Sequence, residues 1–315
     1  MTLRPGAGAA AILGAGSIGV SFAVRFASAG AEVRLWDPFP GAAHRARAEL
    51  AERAGAIGLA RGAIEPLVRF EHDLAAAVTG AELIQECAPE HLGLKRELFA
   101  DVAGLARVDT LFASSSSAIV PSLQAAELPD QAAARFLVAH PANPPHVLPV
   151  IELVPGQRTS VETVDRAREW YRDVGMRPVT VHREVEGFIY NRLQGAVLRE
   201  AYCLVRDGVA SVDEIDEVMR SGLGRRWSIV GPFETADLNT RGGIASHALK
   251  MGPAYERMGA ERGQHDRWTH ELVAAVAAER RELLALDDWD ERVRWRDQRL
   301  IELTSVWDGD ETGKP

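Results

Sequence analysis

Two cysteines, Cys87 and Cys203, stand in a chain of 315 residues, too few for a disulfide framework. Both have apolar neighbours, so buried thiols in a reduced, cytoplasmic protein are the expectation. No run of roughly 18 apolar residues occurs, so no transmembrane helix is expected. The N-terminal MTLRPGAGAAAILGAG carries one arginine before an alanine-glycine run, but it leads straight into a glycine motif and reads as a strand rather than a signal segment. There is no long Lys/Arg run and the formal net charge is -9. General attraction to nucleic acid or to a membrane surface is therefore not expected, although a local basic pocket is compatible with that balance. The 9 histidines never fall in HxxxH or HExxH spacing, and two cysteines cannot furnish a cysteine-rich zinc site, so no metal is expected. No internal repeat or long low-complexity segment is present.

What the chain does contain is material for two domains, or one large one, with substantial cores. Its 46% hydrophobic and 26% charged residues are ordinary globular values. The runs AAAILG (9–14), AEVRLWD (31–37), LVRF (67–70), AELIQECA (81–88), DTLFASS (109–115), RFLVAH (135–140), VIELVP (150–155) and RPVTVH (177–182) read as strands. Segments with helical spacing, such as SIGVSFAVRFASAG and HLGLKRELFADVAGL, separate most of them. Apolar strands alternating with helices predict a parallel sheet covered on both faces. Beyond Glu186 only helical stretches occur, at 188–207, 211–221, 229–238, 243–258, 268–285 and 288–305. The predicted class is α/β, with residues 1–185 as a sheet domain and 186–315 as an all-helical one. An Ala/Arg-rich helix at 41–64 ends in glycine-broken turns, and the terminal DGDETGKP has no core-forming pattern.

GAGSIG (14–19) follows a strand and opens a helix. Gly14 permits a tight turn, Gly16 lets the backbone approach a pyrophosphate, and Gly19 allows close helix–strand contact. Unpaired N–H groups at the helix start, around Ser17 and Ile18, would face the phosphates. The next strand ends in Asp37, whose carboxylate can accept from ribose hydroxyls and would repel a 2′-phosphate. That combination predicts NAD rather than NADP. Glu90 and Lys95, in ECAPEHLGLKRELF, are candidate polar contacts around the cofactor and substrate cleft.

FASSSSAIVPS (112–122) places four serines after a strand, where an open parallel sheet presents ligand contacts; Ser117 or Ser122 could instead cap a helix. His140 ends the following strand on the same edge. Glu152 interrupts the apolar PVIELV, which is costly unless its carboxylate is paired. A neighbouring His140 would be such a partner: the glutamate would fix the ring tautomer, and the histidine would serve as a base in the neutral range.

GAGSIG with Asp37, the serine cluster, HPANP (140–144), Glu152 and GFIYNRL (187–193) together resemble the L-3-hydroxyacyl-CoA dehydrogenase superfamily. The likeness is closer to its lambda-crystallin branch, which includes L-gulonate 3-dehydrogenase. IQECAPEHLGLKRELF, IELVPG, SGLGRRWSIVGPFETADLN and the late WRD (295–297) extend it over nearly the whole chain. The resemblance implies a Rossmann-type NAD-binding domain and a helical domain that forms a homodimer. It implies that His140 exchanges the substrate hydroxyl proton, that Glu152 pairs with it, and that Asn143 and Asn191 belong to the site. Ser116 would contact the reacting oxygen, with Ser117 the neighbouring alternative. Gly14, Gly16, Ser17, Ile18, Gly19 and Asp37 would hold the dinucleotide, and Glu90 and Lys95 its nicotinamide side.

One departure bears on substrate. Acyl-CoA members carry lysine and serine contacts for the CoA phosphates beyond the second strand, whereas this chain has HRARAELAERAGAIGLARG there. It also has GLGRRWSIVGPFE, in which Arg225 or Arg226 could clamp a free carboxylate and Trp227 form an apolar wall. The function so implied is NAD-dependent oxidation of the 3-hydroxyl of a small free hydroxy acid, L-gulonate-like, to the 3-keto acid. Short 3-hydroxyalkanoates and carnitine suit the same reaction. The alternatives are an L-3-hydroxyacyl-CoA dehydrogenase and a catalytically silent, crystallin-like structural protein.

Overall fold

The computed structural model describes residues 8–60, 62–264 and 269–307; the terminal DGDETGKP lies outside them. Short apolar runs become strands because both of their faces are covered. These are β1 (Ala9–Leu13), β2 (Glu32–Trp36), β3 (Val68–Glu71), β4 (Leu83–Glu86), β5 (Leu111–Ser114), β6 (Phe136–Pro141), β7 (Val150–Pro155) and β8 (Arg177–Thr180). They form one sheet in the order β3-β2-β1-β4-β5-β6-β7-β8. The helices between them are α1 (Ser17–Ser28), α2 (Ala42–Ala56), α3 (Leu74–Val78), α4 (Leu92–Leu105), α5 (Pro121–Gln124), α6 (Asp130–Ala133) and α7 (Val161–Asp173). Phe22, Phe26, Trp170 and Tyr171, from α1 and α7, fill the core on one face. Phe99, Phe112 and Phe136 fill the other, with Phe99 edge-on to Phe136 at 4.7 Å. Burying such side chains stabilises the sheet by about 1.5–3 kcal/mol each.

All pairings are parallel except β6 with β7, which is antiparallel. This corrects the expectation of a wholly parallel sheet. The reason is local: PANPPHVLP joins β6 to β7 without a helix, and a link that short can only return the chain antiparallel. The register sets His140 directly opposite Glu152. Strand order reverses between β1 and β4, so the carboxyl ends of β1, β4, β5 and β6 frame the crevice where such sheets bind ligands.

Strands end with β8, and the contacts divide into two compact units between Leu198 and Arg199, within α8 (Tyr190–Arg206). The second unit is helical: α9 (Val212–Glu217), α10 (Arg225–Trp227), α11 (Pro232–Asn239), α12 (Gly243–Glu261), α13 (His270–Leu283) and α14 (Trp289–Trp307). A capping box of Ser211 and Glu214 starts α9. The α-helix expected over 211–221 stops at Glu217 and widens into a π-helical turn, Val218–Gly224. A Cβ on Gly224 would sit 2.7 Å from the Met219 carbonyl oxygen, so the wider turn requires glycine there. Within this unit the buried Asp237 carboxylate accepts from Arg281 and from the Ile244 N–H.

Candidate active site

The glycine loop is built as its sequence requires. Gly14 has φ +110°, and a Cβ there would lie 2.7 Å from the Cys87 carbonyl oxygen; one on Gly19 would strike the Gly14 carbonyl at 1.9 Å. Beside Gly16 nothing lies within 4 Å of a Cβ position, which leaves the space a pyrophosphate needs. Helix α1 starts at Gly16 without a side-chain cap, so its first N–H donors are left for an anion. Asp37 accepts from the Ala15 N–H at 2.8 Å and the Phe39 N–H at 2.9 Å, tying the end of β2 to the loop. A cavity of about 630 Å³ opens beside it, lined among others by Phe39, Phe70, Glu71 and His72. These residues fit the adenosine half of a dinucleotide, and the carboxylates disfavour an added phosphate.

At the end of β6, His140 Nδ1 lies 2.7 Å from Glu152 Oε2, and both side chains are buried. The other carboxylate oxygen, Oε1, accepts from the Ile189 N–H at 2.7 Å and the Tyr190 N–H at 3.0 Å. Those donors are aimed by a turn in which Gly187 and Phe188 both have positive φ, +77° and +51°. Phe188 is a non-glycine residue in the left-handed region, a strained choice, and its fully buried ring packs 5.6 Å from the His140 ring. Glu152 is thereby fully paired, which removes the penalty of its burial. With Nδ1 committed to the carboxylate, Nε2 is the ring nitrogen left for chemistry. The Ile189 and Tyr190 amides were not foreseen from sequence. Their only signal was GFIYN, where the glycine marks a turn without showing what it serves.

The serine turn after β5 departs from expectation in two ways. Ser116 is fully buried; its hydroxyl donates to Glu90 Oε1 at 2.6 Å and accepts from the Ile119 N–H at 2.9 Å. Ser117 is exposed, and its carbonyl accepts from Asn191 Nδ2 at 3.1 Å. The serine beside Asn191 and open to a ligand is therefore Ser117, whereas Ser116 is occupied inside the turn. Neither Ser117 nor Ser122 caps α5, whose N-cap is Val120. Glu90 Oε1 also accepts from the Ser117 and Ala118 N–H groups, each at 3.1 Å. Burial pushes the Glu90 carboxyl up, but the Ser116 hydroxyl, Lys95 and the Ala118 and Ile119 N–H groups outweigh it and hold it below the usual carboxylate range.

Lys95 also departs from expectation and does not project into the cleft. It is buried, with Nζ 2.8 and 3.0 Å from the two Glu86 oxygens and 3.6 Å from Glu90 Oε2. Asn143, in contrast, is exposed on the loop after β6. Among the described residues no group of three metal-ligating side chains occurs, and no helix is long and apolar enough to cross a membrane.

The family model for the NAD-binding domain of 3-hydroxyacyl-CoA dehydrogenase matches residues 9–185, and that for its C-terminal domain matches residues 187–283. The chain belongs to the 3-hydroxyacyl-CoA dehydrogenase family. It is an NAD-dependent dehydrogenase, and the resemblance to the lambda-crystallin branch is borne out. A lambda-crystallin homolog of Bos taurus is 38% identical, over 95% of each chain. A 3-hydroxyacyl-CoA dehydrogenase of Gibberella moniliformis is 38% identical over 94% of each chain. An L-carnitine dehydrogenase of Pseudomonas aeruginosa is 43% identical over 78% of this chain and 77% of that one.

Two further regions of this dehydrogenase hold residues that the sequence marks as candidates for substrate contact. In its helical unit, Arg226 and Trp227 line a mainly apolar cavity of about 530 Å³ with Phe233, His247, Tyr255 and Leu272. The half-buried Arg225 is not among the lining residues. In α2, Arg53 turns inward onto the Ser17 carbonyl, the Ser21 hydroxyl and Glu49. Arg47 lies over the Phe70 ring at 4.1 Å. Protein groups thus engage two of the three arginines of α2, Arg47 and Arg53.

Proposed function

We propose that this dehydrogenase oxidises the 3-hydroxyl of a small free hydroxy acid, L-gulonate-like, to the 3-keto acid. The observation that carries the chemistry is the buried His140–Glu152 pair, with Glu152 anchored by two backbone N–H groups and one imidazole nitrogen left over. The substrate hydroxyl hydrogen-bonds to His140 Nε2, which takes its proton as the carbon–hydrogen bond breaks. NAD+, held by the Gly14–Gly19 loop and Asp37, would supply the acceptor for the hydride that leaves the same carbon. Glu152 stabilises the resulting imidazolium and keeps the ring oriented. Ser117 and Asn191 hold the developing carbonyl oxygen; the exposure of Ser117 and its link to Asn191 support giving it the role first expected of Ser116. Glu90 and Lys95 act on the nicotinamide side through the serine turn, and Asn143 borders the same edge.

A free acid is supported by Arg47 and Arg53 of α2, whose engagement with protein leaves them poorly disposed to receive CoA phosphates. Arg226 is proposed to recognise the substrate carboxylate, with Trp227 as an apolar wall. Its place in a cavity lining, which Arg225 does not share, supports choosing it over its neighbour. The Pseudomonas aeruginosa relative, named for L-carnitine, also points to a free 3-hydroxy acid. We further propose a cytoplasmic homodimer joined through the helical domain, since Tyr202, Leu249, Met258 and Leu283 are exposed there. A domain boundary at 185/186 is supported by the two family matches meeting at that point.

The second reading is a CoA-thioester dehydrogenase, favoured by the name of the Gibberella moniliformis relative. A screen of NAD reduction by the purified protein decides between them, using L-gulonate, short free 3-hydroxy acids, carnitine and L-3-hydroxybutyryl-CoA. The proposal requires the highest kcat/KM with a free acid. Dominance of the thioester would refute it, and failure of every substrate would favour a silent structural protein.

A further inference from the structure

We propose that Glu86 is a positioning residue for the serine turn: its buried carboxylate fixes Lys95 and Ser114, and through them holds Glu90 and residues 116–119 in place for the cofactor and substrate. The inference rests on the dehydrogenase reading above and names a residue that the reaction itself does not use.

The geometry is a closed polar network at the carboxyl ends of β4 and β5. Glu86, the last residue of β4, is fully buried, as is Ser114 at the end of β5. Glu86 Oε1 accepts from Lys95 Nζ at 2.8 Å and from the Ala88 N–H at 2.7 Å. Oε2 accepts from Lys95 at 3.0 Å and from the Ser114 hydroxyl at 2.6 Å. Lys95 passes the arrangement on: its ammonium donates to the Ala88 carbonyl at 3.2 Å and sits 3.6 Å from Glu90 Oε2. Ser114 passes it on by a second route, since its oxygen accepts from the Ser116 N–H at 3.3 Å. Both routes end on the same turn, where Glu90 Oε1 collects the Ser116 hydroxyl and the amides that follow it.

Charge explains why the network needs Glu86. Burial pushes its carboxyl up, and Lys95, Ser114 and the Ala88 N–H pull against that rise. Without the carboxylate, the Lys95 ammonium and the Ser114 hydroxyl lose the acceptor that fixes them, and Glu90 and the Ser116 N–H lose the anchors those two groups supply. Lysine is rare in this chain, the others being Lys250 and Lys314, so no neighbouring lysine can substitute. A merely structural pair would tie α4 to β4 and do nothing to the amides across the cleft.

The test compares the full-length wild type, Glu86→Gln, and the double variant Glu86→Gln/Lys95→Met, which removes both charges at similar volume. Three quantities are read: thermal stability, amide hydrogen exchange at Ser117, Ala118 and Ile119, and the Kd for NADH by fluorescence titration. Positioning requires exchange at those amides to quicken by about tenfold or more and NADH binding to weaken by a similar factor, an effect of the size of one charge-assisted contact. In the double variant stability should recover, because a buried ion pair can be replaced by neutral groups at little cost, while both other defects persist. If Glu86→Gln leaves exchange and NADH affinity at wild-type values, or if the double variant restores all three, the pair is structural and the proposal falls. Should Glu86→Gln fail to fold, the double variant alone decides. These readouts need no substrate, so an enzyme inactive with every hydroxy acid would sink the substrate reading and leave this one standing.

Discussion

Two buried acid–base pairs stand at strand ends on one edge of the sheet, and they are completed differently. Glu86 and Lys95 satisfy each other and their neighbours, with Ser114, the Ala88 N–H and the Ala88 carbonyl taking the remaining positions. Glu152 is equally satisfied, by His140 and two backbone amides, but its partner is an imidazole with a second nitrogen beyond the pair. A closed pair can hold structure in place; a pair with one group left over can move a proton. Burial and proximity are common to both, so neither property by itself identifies the reactive one. The difference lies in the partner's chemistry, a titratable ring against an ammonium already surrounded by acceptors.

The largest break in this comparison should come at the open pair. His140→Ala is expected to lower turnover by about 10²–10⁴-fold while leaving NADH affinity close to wild type, as steady-state kinetics and fluorescence titration would show. Glu152→Gln should follow it in turnover and also lose about 1–3 kcal/mol of stability in denaturant unfolding, because an amide cannot accept from all three donors. Wild-type turnover in His140→Ala would end the mechanism.

Next comes the choice of serine. Ser117→Ala should reduce kcat by about 10²-fold, the loss typical of one donor to a developing oxyanion. Ser116→Ala should act mainly on stability and NADH affinity through Glu90. Reversed kinetic effects would return the contact to Ser116. Arg226→Ala is expected to lower kcat/KM for the best free acid by about 10–10²-fold, the equivalent of ~1.5–3 kcal/mol, with Arg225→Ala close to neutral. Equal, small effects from both would place the carboxylate contact elsewhere.

Smaller changes are expected at the cofactor end and in pH. Asp37→Ala should narrow the preference for NADH over NADPH by about tenfold, or ~1.4 kcal/mol, measured by parallel titrations. Glu90 is held below the usual carboxylate range, with burial opposing and Ser116, Lys95 and the turn amides prevailing. Its clamp should therefore be complete above the ordinary glutamate pKa of about 4.3 and be lost only as pH falls through the lower folded value. Amide exchange at Ser117–Ile119, corrected for intrinsic rates, should show that acid limb in the wild type and lack it in Glu90→Gln.

Much of this molecule was legible in one dimension because its signals are local. Apolar runs with both faces buried gave the eight strands, and a change from mixed to purely helical spacing marked where they end. GAGSIG and Asp37 carry their meaning in a few adjacent residues, since glycine geometry and a strand-end carboxylate are set by immediate neighbours. Glu152 announced itself by being charged within an apolar run, and the short Pro-rich link made His140 its nearest candidate partner.

What the sequence could not decide was which groups are already occupied. Ser116 and Ser117 are chemically identical and adjacent; only the folded turn buries one against Glu90 and exposes the other beside Asn191. Lys95 reads as a polar contact of the cofactor and substrate cleft, yet α4 packs it onto Glu86. Arg53 is one of several arginines in an Ala/Arg-rich helix, and nothing local shows that it closes on Ser17 and Ser21. Each depends on residues far apart in the chain meeting at hydrogen-bond distance. Periodicity and local motif fix which face a side chain takes, whereas the partner that uses up its donors and acceptors is fixed only by tertiary packing.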